Sequence, residues 1–291
     1  MRNFVLVLAL LAIGFTTSYP CPGHAQTKED LQNKIPAIQE QKDLWLASLK
    51  LVADKTDDVR AKSVLKFLTS NLYLAEAVPH QGIRVLSSPN GNTSAVYFVP
   101  IMGDLKSLPD DTVPPDMASG KAAAVFAPDI RAITVRDAKL YSPLSIGVIL
   151  LHEGNHAFEI TMLPYDSQDP AIFAAHEYTT YVIQLRVTDK LGGPKYHDLV
   201  VKEAARITKE CQDHGKAPGT ALVSPVDYPG LTAIFGPFKS PEEKDWWLTG
   251  LWIEANFLVV DQNFPEAKRQ IQKVAFMATL FKKEKIGVHF E

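Results

Sequence analysis

His152-Glu153-Gly154-Asn155-His156 is the stretch of this 291-residue chain whose residue types and spacing point most directly to chemistry. On a helix, residues i and i+4 share a face one turn apart, so both imidazoles can address one metal ion. Neutral imidazoles suit a divalent zinc ion. A catalytic zinc takes three protein ligands and keeps a fourth place for water. Glu153 lies about 100° round the helix from His152. It is poorly aimed at the same ion but able to reach a water there, which makes it the candidate general base.

A third ligand has to come from elsewhere. Ala157 to Met162, directly after the motif, contain no His. Glu177 stands 21 residues after His156. That separation accommodates a turn, a short loop and two turns of a returning helix. His176 is the alternative ligand; on a helix the two neighbours project about 100° apart, which leaves room for one of them.

The motif, Glu177 and the order of strands, motif helix, loop and second helix resemble the gluzincins, the thermolysin-like clan of HExxH zinc metallopeptidases. The resemblance spans roughly residues 122–191 and singles out no narrower family. It implies His152, His156 and Glu177 as ligands of Zn2+, Glu153 as general base, and a peptide or protein as substrate. One departure stands out. Four residues after its Glu ligand the thermolysin-like pattern has an Asp that orients a zinc-bound His; this chain has Tyr181. Either another residue orients the His, or Tyr181 faces the site and polarises a substrate carbonyl. Tyr178, Tyr181, His176 and Tyr228 are the candidates for stabilising an oxyanion, with Tyr181 and Tyr228 taken forward as catalytic candidates. Glu159 reads as a partner of a ligand His. Gly154, inside a helix, costs about 1 kcal/mol against Ala, so a neighbouring helix is expected close by.

These residues need a scaffold. The pattern predicts a mainly helical α+β architecture with a small, mostly antiparallel sheet, and the resemblance implies a zincin-like fold with that sheet packed beside the HExxH helix. Residues 26–80 read as N-terminal helices, the second running from Asp57 to Ala77. Residues 83–138 read as the sheet, with Ala132 to Arg136 as an edge that could pair an extended peptide. Residues 144–191 carry the metal-site helices and 196–291 a C-terminal helical subdomain. Leu144 to Glu159 is apolar nearly all round, as a buried helix is. Asp169-Pro170 and Ser240-Pro241-Glu242-Glu243 are helix starts, and Asn263 to Lys283 reads as the last helix. Residues 215–240, rich in Gly and Pro, read as a long loop that could roof the site. Trp246, Trp247 and Trp252 read as core.

Residues 1–25 are set apart as a signal peptide: Arg2, then an apolar run from Phe4 to Phe15, then Gly23-His24-Ala25 as the cut site. The run is short of the roughly 20 residues a membrane span needs. Cleavage removes Cys21 and leaves Cys211 alone, so an internal disulfide is excluded and Cys211 reads as a buried hydrophobe. What remains, 26–291, is expected to be a single catalytic domain. With 30 Lys plus Arg against 33 Asp plus Glu there is no nucleic-acid footprint and no polybasic membrane patch. The expectation is a secreted or periplasmic zinc-dependent hydrolase, a metallopeptidase that cleaves amide bonds with a zinc-bound water. The alternative is a non-peptidase zincin-fold protein with a structural zinc and a binding role.

Overall fold

The computed structural model describes residues 28–78, 82–102, 113–118, 122–162, 170–215 and 228–263. The expected signal peptide, nearly all of the last helix and residues 216–227 of the expected roof loop lie outside the described residues. In chain order the elements are α1 (Lys28–Thr56), α2 (Val59–Asn71), β1 (Leu72–Val78), β2 (Gly82–Val85), β3 (Val96–Ile101), the short α3 (Pro115–Ala118), β4 (Ala124–Ala127) and β5 (Ala132–Arg136). A 3-10 turn (Ala138–Leu140) leads to α4 (Pro143–Met162), followed by α5 (Pro170–Asp213), α6 (Pro229–Phe235) and α7 (Pro241–Asn263). The class is α+β, as expected. No described helix is long and apolar enough to cross a membrane. The described chain divides into two compact units, one of residues 28–161 and 238–246, the other of 162, 170–215, 228–237 and 247–263.

The first unit holds the sheet, whose order is β2-β1-β3-β5-β4. β1, β3 and β5 run parallel, while β2 and β4 pair antiparallel at the two edges. The sheet is therefore mixed, not mostly antiparallel, and it has one strand more than the sequence suggested. The additional strand is β1, over residues read as the end of the second helix. Helix α2 stops at Asn71, whose side-chain Nδ2 donates to Phe67 O at 2.7 Å. Leu72, Tyr73 and Leu74 then pair with Val96, Tyr97 and Phe98. Long-range pairing overrides a local sequence that suits a helix equally well. β5 is likewise not an edge: β3 and β4 flank it and all five of its residues are buried.

The register sets Leu74, Phe98 and Ile133 side by side on one face. Trp45 of α1, fully buried, meets Phe98 edge-on at 6.4 Å. Full burial of such side chains contributes about 1.5–3 kcal/mol each. The opposite face carries the smaller Ala75, Val99 and Ala132. α1 is also tied to the sheet through Lys34, 3.3 Å from the buried Glu76 of β1, which Arg84 of β2 approaches from its other oxygen at 3.2 Å.

In the second unit α5 is bent at Gly193, whose backbone (φ 61°, ψ −159°) is not helical. The break expected between residues 191 and 196 is thus present as a kink. Tyr196 packs on Phe235 at 5.2 Å, and Phe235 stacks on Trp247 at 3.9 Å. α6, inside the expected loop, exists because Pro229 fits the first helical turn and Leu231 and Phe235 are buried one turn apart. Trp247 is core, as expected, whereas Trp246 and Trp252 are half-buried. Cys211 is fully buried.

Candidate metal centre

Helix α4 carries the motif and is buried almost all round, as its composition requires. Two glycines let it sit directly against its neighbours. A Cβ on Gly147 would come within 2.3 Å of Ser48 O in α1. A Cβ on Gly154 would come within 2.6 and 2.8 Å of Leu68 and Val64 in α2. The close approach that Gly154 implied is there, and it comes from α2. The start of α4 is clamped by Glu243: its carboxylate accepts from Ser142 N at 2.7 Å, and from Ser145 Oγ. Its far end is held by Arg131, whose guanidinium donates to Thr161 Oγ1 and to Ala95 O. Arg131 has a left-handed backbone (φ 53°), and these contacts hold it there.

Between the clamps, His152 and His156 are 8% and 4% exposed. Their rings stand edge to face with centroids 5.0 Å apart, and the two Nε2 atoms are 3.3 Å apart. Two nitrogens about 2.0–2.1 Å from one ion at a tetrahedral angle stand about 3.3 Å apart. The pair therefore has the spacing of two ligands on a shared cation. Glu153 is half-buried next to His152, and Asn155, between the two histidines in sequence, is fully buried.

The chain matches no family model, no curated protein and no solved structure.

The other expected site residues belong to the second unit. His176, Glu177 and Tyr181 are half-buried on α5. Tyr178, on the same helix, packs its ring on Phe257 at 5.2 Å. Tyr228 is 8% exposed and donates its hydroxyl to Glu203 Oε2, beneath Lys202, whose Nζ lies 5.6 Å from the ring centroid. Burial first, then the Glu203 carboxylate, push the Tyr228 hydroxyl up to about 12. Its proton is committed to Glu203, which marks Tyr228 as a packing residue more than an oxyanion donor.

Glu159 sits one turn beyond His156, 6% exposed, and its carboxylate is 2.8 Å from the Arg60 guanidinium of α2. Sequence reasoning had singled out Glu159 but not Arg60. No spacing rule links residues 99 positions apart.

Proposed function

We propose that the chain is an exported, zinc-dependent hydrolase with a zincin-like fold, acting as a metallopeptidase on peptide or protein substrates. His152, His156 and Glu177 would hold the zinc. The supporting observation is the histidine pair: two buried imidazoles one helical turn apart on α4, with their Nε2 atoms 3.3 Å apart. Two buried imidazoles and one carboxylate are a donor chemistry that zinc accepts in catalytic sites. The apolar run after Arg2 supports export.

When bound, zinc supplies Lewis acidity, bringing the pKa of a water toward about 7 and polarising a carbonyl. The protein's own part falls to Glu153. Its carboxylate takes the proton of the attacking water, and the resulting carboxyl gives it to the leaving amine nitrogen. Glu153 is half-buried, next to His152 in the chain. Tyr181, where the thermolysin-like pattern has Asp, is the candidate for holding the carbonyl oxygen.

Glu153→Gln tests this directly. The variant keeps the shape of the side chain and loses the base. It should bind zinc stoichiometrically while peptide hydrolysis falls by about 100-fold or more, the scale of general-base catalysis. Hydrolysis that survives the change would remove Glu153 from its role. Wild-type protein that cleaves no member of a peptide library, yet binds zinc, would favour a structural centre.

A further inference from the structure

Positions 152, 156 and 159 of α4 are four and three residues apart, so they lie along one stripe of the helix. His152 and His156 hold the first two positions of that stripe and Glu159 the third. Helical side chains lean toward the N-terminus, so Glu159 leans back over the turn that carries His156. An acid in that place, 6% exposed, needs a partner to balance its charge. Arg60 is that partner, with NH2 donating to Glu159 Oε1 at 2.8 Å.

Arg60 is itself clamped. Its guanidinium carbon lies 4.8 Å from the centroid of the Phe158 ring, which meets Phe67 of α2 edge-on at 5.5 Å. Gly154 seats α4 against Val64 and Leu68 of the same helix. The contacts from Arg60 to Leu68 thus fix α2 to the part of α4 that bears the histidines. A guanidinium that is stacked on one face and charge-paired at its edge has little freedom to leave.

We propose that Arg60 is a positioning residue for the metal centre: by holding Glu159 on the imidazole stripe, it sets how strongly His156 binds the metal. This rests on the metal-site reading given above. A carboxylate beside a ligand imidazole makes that imidazole a better donor and fixes its orientation, and losing such a partner typically costs about 10–100-fold in metal affinity. Arg60 acts one step further out, through the position of that carboxylate.

The test is zinc competition against a chelator, with the cobalt-loaded absorption spectrum and metal-free unfolding, for full-length wild type, Glu159→Gln, Arg60→Lys, Arg60→Met and the double variant Arg60→Met/Glu159→Gln. Glu159→Gln and Arg60→Met should each weaken zinc by about 10–100-fold and shift the cobalt bands. Arg60→Lys, which keeps the charge, should recover most of the affinity. The double variant should be no weaker than the weaker single one, because the two residues act in series. Glu159→Gln is nearly isosteric and carries the test should Arg60→Met fail to fold. Lower metal-free stability with unchanged zinc affinity and unchanged cobalt bands would overturn the proposal and leave a purely structural ion pair. Wild-type protein that binds no zinc would instead bring down the metal-site reading, a separate and distinguishable failure.

Discussion

Helix α7 carries two carboxyl groups in opposite surroundings, one fully buried and one half-buried. Glu243, in its first turn, is fully buried and accepts from Ser142 N at 2.7 Å, from Lys239 N at 2.5 Å and from Ser145 Oγ. Glu254, three turns later, faces Tyr196 and another acid, Asp189, and its Oε2 is buried with no partner among the described residues. Burial pushes Glu254 up to about 8; hydrogen bonding from Tyr196 pulls the other way, and the Asp189 charge raises it further. The two surroundings differ in what faces the carboxylate besides the loss of water. The differences are the number of donors aimed at it and the sign of its nearest charge.

The largest expected effect breaks the comparison at Glu254. Its folded pKa, about 8, lies above the ordinary carboxyl value of 4.5, so the folded state retains a proton that the unfolded state has lost across that window. Stability is then fully present below pH 4.5, falls as pH rises toward about 8, and is level above it. The total loss is on the order of 5 kcal/mol. Urea unfolding at a series of pH values should show this slope in wild type, and Glu254→Gln should flatten it. Equal slopes in the two proteins would mean that Glu254 is not the group responsible. Asp189→Asn should move the fall to lower pH, because it removes the repelling charge.

The next effect comes from the well-satisfied partner. Glu243→Ala would leave three donors without their acceptor in a closed site, at about 1 kcal/mol each and about 3 kcal/mol together. The same carboxylate holds the first turn of α4, so the urea midpoint should fall and the start of α4 should lose amide-exchange protection. A variant within 0.5 kcal/mol of wild type, roughly the scatter of neutral surface changes, would show that Glu243 clamps nothing.

The contrast between these acids also marks how far the sequence could be read. The starts of α7 and α4 were legible because capping and periodicity are local. Ser240 does cap α7, accepting from Glu243 N at 3.0 Å. The Glu243 side chain, expected to complete a capping box, instead reaches Ser142, 101 residues away. The histidine pair was legible for the same local reason: the helical period alone brings His152 and His156 together. What was missed depends on partners distant in sequence. β1 followed a helix with no Gly or Pro between them, and only pairing with β3 makes it a strand. β5 was read as an edge because the strand that covers it, β4, pairs through a turn whose register local pattern does not reveal. Arg60 was invisible because its role exists only once α2 lies on α4.

A third acid sharpens the comparison with the smallest effect. Glu203 is 1% exposed and accepts from Nε and Nη2 of Arg206 and from the Tyr228 hydroxyl. Its carboxylate also holds the Arg206 guanidinium above its usual range. Tyr228→Phe removes one donor and leaves the Arg206 fork in place. The acid stays compensated, so the cost should be about 1 kcal/mol, that of one hydrogen bond, read as a small drop in urea midpoint. Peptide hydrolysis should not change, because the hydroxyl that is lost was donating to Glu203. A drop in kcat on the scale of an oxyanion donor, about 100-fold or more, would overturn this and return Tyr228 to the reacting centre. Tyr181→Phe in the same assay supplies the contrast: its hydroxyl is the one expected at the carbonyl, so its loss should lower kcat with little change in stability.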